Sequence, residues 1–119
     1  MEQIFKHQLA ADAHTLQIQI RGDVVGSSVA KVRHAFLELV DRQDIRLAGW
    51  RLLKLDLTEV ARIDSLGLDL CLTILREVQL RSGSLHVTVS NPDIHRSFVF
   101  MGLDQQMKLQ LVPPGAATS

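Results

Sequence analysis

The sequence predicts an α/β fold with a mixed β-sheet, and three observations carry that expectation. Short apolar or strictly alternating runs recur along the chain at the length of strands. Between them lie longer segments whose apolar residues repeat every three or four positions, as on one face of a helix. Most strand patterns are separated by a helix pattern, which implies parallel pairing through right-handed crossovers, whereas the first two are separated by a link only long enough for a hairpin. The predicted order is β-β-α-β-α-β-α-β, with the helices packed on the sheet. A chain of 119 residues suffices for one domain with one core. That domain is expected over 1–112.

Residues 3–9 and 14–20 are the two candidate hairpin strands. Leu16-Gln17-Ile18-Gln19-Ile20 alternates, so it has one buried and one wetter face. Ala10-Ala11-Asp12-Ala13 links the runs, and Arg21-Gly22-Asp23 is expected to end the second strand. Val29, Val32, Phe36, Leu39 and Val40 then share a helix face, predicting a helix over 28–43 with Ser27 or Ser28 as its cap. A loose stretch follows through Gly49. Trp50 reads as a rim or core anchor.

Leu52-Leu53-Lys54-Leu55-Asp56-Leu57 has few polar breaks, which suits a central strand covered on both faces. Asp56 would then lie close to the strand's C-terminal end, the edge where α/β sheets bind ligands and partners. Thr58 to Asp64 reads as a connection anchored by Val60 and Ile63. A second helix is predicted over 66–81, with Leu68, Cys71, Leu72, Leu75 and Val78 as its core stripe. Leu66, Leu70 and Ile74 form a neighbouring stripe that suits either packing or a binding face. Ser82-Gly83 stops the helix, with Gly83 at the left-handed C′ position.

Leu85-His86-Val87-Thr88-Val89 is a short strand. Pro92 opens a third helix capped by Ser90 or Asn91, with Ile94, Phe98 and Met101 on one face and Gly102 at its end. Residues 107–112 form the last strand. Pro113-Pro114-Gly115-Ala116-Ala117-Thr118-Ser119 has the composition of a flexible tail.

Thirteen basic and thirteen acidic residues leave no net charge, and the basic ones are scattered. A direct nucleic-acid or anionic-membrane partner would need a clustered basic face. No apolar run approaches the ~20 residues that span a bilayer, and Met1-Glu2-Gln3-Ile4-Phe5-Lys6-His7 lacks the pattern of a signal peptide. A cytoplasmic protein without membrane insertion is the expectation. The single cysteine, Cys71, sits among leucines and reads as a small core residue. His7, His14, His34, His86 and His95 show no metal-ligand spacing, so neither metal nor cofactor is expected.

The most informative residues are Asp64-Ser65, at the mouth of the second long helix. There the backbone N–H groups lack internal partners and the macrodipole is positive, so a phosphate on the Ser65 hydroxyl would be accommodated. The plainer reading of such a serine is a helix cap. A catalytic serine at a nucleophile elbow needs glycine two positions earlier, where the chain has Ile63. Asp93 and His95 follow in hydrolase order, but the chain is too short for that fold.

Asp56-Leu57-Thr58, a short gap, Ile63-Asp64-Ser65, then Gly67-Leu68 and a leucine-rich helix resemble the signature of STAS domains, which include the bacterial anti-sigma-factor antagonists. The resemblance extends more loosely from about Ile4 to about Leu111. It implies that Ser65 matches the residue phosphorylated by an anti-sigma-factor kinase. Many members carry a second hydroxyl where this chain has Leu66, so Ser65 stands alone at the turn. The function this implies is a non-enzymatic partner switch. The unmodified protein binds an anti-sigma factor or related serine kinase through Asp23, Asp56, Asp64, Ser65, Leu66, Gly67 and Asp69. Phosphorylation releases it, and a serine phosphatase restores it. The alternative is a scaffold subunit of a stress-signalling or membrane-lipid transport complex that uses the fold without phosphorylation.

Overall fold

The computed structural model describes residues 4–113. Of the tail expected over 113–119, only Pro113 is among them. Two antiparallel strands open the chain, β1 (Phe5–Leu9) and β2 (Thr15–Val24). They are followed by α1 (Ser27–Asp41), the one-turn α2 (Gln43–Arg46), β3 (Leu52–Ile63), α3 (Ser65–Leu80), β4 (Ser84–Val89), α4 (Pro92–Phe100) and β5 (Lys108–Leu111). The five strands lie side by side in sequence order, with β2 to β5 all parallel. This is the mixed α/β sheet and element order that the periodicity predicts, with α2 added in the stretch read as loose.

The strand order has one consequence for the whole molecule. Each crossover from β2 to β5 steps to the next strand in the same direction, so right-handed connections put every helix on one face. Leu16, Ile18, Ile20, Leu53, Leu55, Leu57, Leu85, Val87 and Val89 line that face and are buried. Val29, Val32 and Phe36 of α1, Leu70, Ile74 and Val78 of α3, and Ile94 and Phe98 of α4 meet them from above. The alternate residues on the other face, among them Gln17, Lys54 and Lys108, are exposed. The expectation that β3 is covered on both faces is therefore wrong: one layer of helices covers one layer of sheet.

β3 is also twice as long as predicted, because Thr58–Ile63 is strand rather than connection. The register shows why the pattern hid it. Gln19 pairs with Asp56 but Arg21 with Glu59, and Gly22 pairs with Val60 but Val24 with Ile63, so β3 carries an extra residue at each step. Such bulges reverse the inward phase. Burial falls on Leu53, Leu55 and Leu57, then moves to Val60. The Asp56 carboxylate accepts from the Thr58 backbone N–H at 2.8 Å and its hydroxyl at 2.6 Å, which satisfies the first bulge. Across from this half, β2 runs on to Val24, one residue past the Arg21-Gly22-Asp23 stretch expected to end it, and Glu59 holds it by an ion pair to Arg21 at 3.2 Å.

The caps differ in detail from the expectation. Gly26, not a serine, caps α1, because the Ser28 hydroxyl is turned back to the Asp23 and Val25 carbonyls. Asn91 caps α4 as predicted. At the end of α3 the left-handed residue is Ser82, at φ 57°, rather than Gly83. Gly83 is required for closeness instead, since a Cβ there would run into the Arg51 carbonyl. Met101 is turned outward rather than continuing the inner face of α4. Trp50 is a core anchor, fully buried, with the Arg81 guanidinium 4.1 Å above its ring. Cys71 is buried too, and burial pushes its thiol up to about 12, far from a reactive thiolate.

On α3 the inner stripe is Leu70, Cys71, Ile74, Leu75 and Val78, while Leu68 and Leu72 are only half-buried. Of the neighbouring arc, only Leu66 faces solvent, at 52% exposure. Ile74→Ala is accordingly expected to lower the unfolding free energy by about 2–5 kcal/mol, and Leu66→Ala by less than about 0.5 kcal/mol. Urea unfolding of the two variants checks this, and equal losses would contradict the assigned burial.

Candidate functional site

The C-terminal ends of β2 and β3 meet the start of α3, and Asp64 joins the three. It is the N-cap of α3, and one carboxylate oxygen accepts from the Gly67 N–H at 2.9 Å. The other accepts at 3.0 Å from the N–H of Gly26, in the turn between β2 and α1. Its backbone N–H is donated to the Val24 carbonyl. One side chain thus clasps two consecutive crossovers together. The Gly67 N–H, followed by those of Gly26 and Leu66, holds the Asp64 carboxyl below the usual carboxylate range.

Ser65 is the first residue of α3 and is exposed. The plainer expectation, that Ser65 is the cap, does not hold, because Asp64 performs that task. Among the described residues no hydrogen bond engages the Ser65 hydroxyl. It stands at the positive end of a 16-residue helix, next to solvent, and is not needed for the fold.

The other candidates separate into groups. Leu66 is exposed directly after Ser65. Gly67 is buried, and its role is closeness: a Cβ would collide with the Val24 carbonyl and the Ile63 side chain, so only glycine lets α3 start this near the strands. Asp69 lies one turn on and reaches Arg33 of α1 at 3.0 Å. Asp23 accepts from Arg62 at 2.9 and 3.1 Å, across the ends of β2 and β3. Asp56 is elsewhere. It lies in the middle of β3, eight positions before Asp64 or roughly 25 Å along an extended strand. The expectation that it sits at the strand's end fails because β3 continues through two bulges. Gln19 approaches it from β2, at 3.4 Å.

Three contributors were not legible in the sequence. Arg62 and Arg33 neutralise Asp23 and Asp69, and Gly26 supplies an N–H to Asp64. Nothing in their spacing marks them, since each is matched to its partner only by the adjacency of crossovers. Asp93 of the rejected hydrolase series is paired with Arg96 on its own helix, at 3.1 Å. No group of three or more histidine, cysteine or acidic side chains among the described residues could hold a metal ion, and no helix among them is long and apolar enough to cross a membrane.

The family model described as Mlab, STAS domain matches residues 7–113. Among solved structures, SpoIIAA of Bacillus in its phosphorylated form is similar at 20% identity and a TM-score of 0.64, covering 88% of this chain and 89% of that one. The unphosphorylated form of the anti-sigma factor antagonist SpoIIAA gives 19% and 0.66, over 88% and 86%. An anti-sigma factor antagonist from Mycobacterium paratuberculosis gives 16% and 0.69, over 91% and 86%. These likenesses establish a common fold. No curated protein matches the sequence.

The clasp makes a signed prediction. A carboxylate held below its unfolded value contributes stability that is full above about pH 4, the ordinary aspartate range, and is lost as pH falls through the lowered folded value. Asp64→Ala should melt below wild type at neutral pH, with Asp64→Asn in between because asparagine also caps. The gap between wild type and Asp64→Asn should close in acid. Thermal melts at about pH 7 and about pH 3 test this, and a gap that widens in acid would refute the assignment.

Proposed function

The chain belongs to the STAS family, and on that premise we propose that it is an anti-sigma-factor-antagonist-like regulatory binding protein controlled by reversible phosphorylation of Ser65. In the unmodified state it binds an anti-sigma factor or a related serine kinase in the cytoplasm. It is the kinase's substrate and ligand, not a catalyst. The docking surface comprises Ser65, Leu66 and Asp69 at the start of α3, with Asp23 and Asp64 at the adjoining strand ends. Asp56, on the other face of the sheet, belongs to this surface only through the family resemblance.

One observation carries the reading: the Ser65 hydroxyl is exposed at a helix start whose capping is done by its neighbour. Phosphorylation adds about two negative charges there without removing any bond the fold uses. The helix terminus offsets part of the repulsion from Asp64, so the fold tolerates the group. A partner seated over Leu66 and Asp69 does not, because it must accommodate new charge and its hydration. That SpoIIAA, which shares the fold, exists in phosphorylated and unphosphorylated forms supports the same direction. A serine phosphatase closes the cycle.

A second reading is favoured by the description of the matching family model, Mlab, which names no antagonist. In it the chain is a scaffold subunit of a stress-signalling or membrane-lipid transport assembly and Ser65 stays unmodified.

Incubation with the cognate kinase and ATP, followed by intact mass measurement, should show one added phosphate that Ser65→Ala abolishes. Ser65→Asp should weaken binding to that kinase by about tenfold or more, with stability within about 0.5 kcal/mol of wild type. No mass gain, or equal affinity of the two forms, rejects the switch and leaves the scaffold.

A further inference from the structure

The uncovered face of the sheet carries a feature that the Ser65 site does not use. Strand register places Gln8, Gln17, Lys54, His86 and Lys108 in one row across all five strands. The last three bring two ammonium groups and an imidazole onto adjacent strands, roughly 4.8 Å apart at the backbone. No carboxylate shares the row. Like charges side by side on one face oppose strand pairing, and the ion pairs among the described residues include neither lysine.

The nearest carboxylate in register is Asp56 in the next row, and it accepts from Gln19 and Thr58. His86 is half-buried between the lysines. Burial, then Lys108 and Lys54, lowers its affinity for a proton. The row forms the floor of a shallow concavity that also presents Lys6, the Asp56 carboxylate, the Thr88 hydroxyl and the Gln110 amide. Because the whole chain has no net charge, this concentration of positive charge is local.

We propose that this row is a binding site for a small oxyanion, the phosphate or carboxylate group of a small molecule, held between Lys54 and Lys108 above His86. Charge complementarity selects the occupant. An anion relieves the repulsion along the row and accepts from both ammonium groups, while the one carboxylate among the described lining residues, Asp56, is already engaged by Gln19 and Thr58. Lys54 and Lys108 are two strand spacings apart, roughly 10 Å at the backbone, which two flexible side chains can close around one group. The row is too short for the continuous basic stripe that a nucleic acid requires. It lies near the beginning of β3, β4 and β5, away from the strand end that leads to Ser65, so it stands whether or not Ser65 is modified.

The histidine ring resonances of the full chain report on the site directly. Inorganic phosphate and succinate are titrated separately against sodium chloride at matched ionic strength. Saturable movement of the His86 resonances with a Kd of about 1 mM is expected in at least one of the two, with His14, His34 and His95 behaving alike in all three salts. Phosphate alone identifies a phosphate ester as the ligand class, succinate alone a carboxylate, and both a general oxyanion site. The exposed double variant Lys54→Gln/Lys108→Gln should bind about tenfold more weakly while melting no lower than wild type. If His86 moves no further in either anion than in chloride, or if the double variant binds as well as wild type, the proposal is overturned.

Discussion

Everything in this molecule follows from a sheet that can be covered on only one side. Parallel neighbours in sequence order, joined by right-handed crossovers, leave no connection to cross beneath the sheet. One face therefore holds the whole apolar core and the other must be polar. The alternation of buried and exposed residues along β2, β3 and β4 is the sequence's answer to that constraint. The same geometry brings the ends of β2 and β3 together under the beginnings of α1 and α3, which is where an acidic side chain can bind two backbone amides from different crossovers.

The Asp64 clasp frees the positions next to it from structural work. Asp64 serves the fold, and Gly67 lets the helix approach the strands closely. Between them, Ser65 and Leu66 carry no structural obligation and face solvent. A modification site needs that freedom, because a hydroxyl already committed to a cap would link every change of charge to a loss of stability. The ion pairs Asp23–Arg62 and Asp69–Arg33 flank the pair and are exposed, so they hold geometry more than they add stability.

The elements and their order were legible because their signals are local. Alternation marks β2 and β4, three-four spacing marks α1 and α3, and Pro92 with Asn91 marks the start of α4. Asp64-Ser65 at a helix start was legible for the same reason. The second half of β3 was not, because the first bulge shifts the inward phase from odd to even positions, the second shifts it back, and the segment then imitates a loop. The position of Asp56 was lost with it. The partners of Asp23 and Asp69 were hidden in another way: they come from elements adjacent in space, and no spacing in the chain encodes that adjacency. Whether Leu70 and Ile74 pack or face outward was likewise ambiguous, since α3 is apolar over a wide arc and only its placement on the sheet and beside α1 decides.

The position of the single tryptophan has a practical consequence. Trp50 and the guanidinium over its ring lie at the far end of α3 from Ser65, a helix length of roughly 24 Å. Its emission is a local probe of the pole of the domain where the helix ends, quenched or released as that pole opens. It is remote from charge introduced at the opposite pole, so intrinsic fluorescence can follow denaturation of wild type and Ser65→Asp on one common scale.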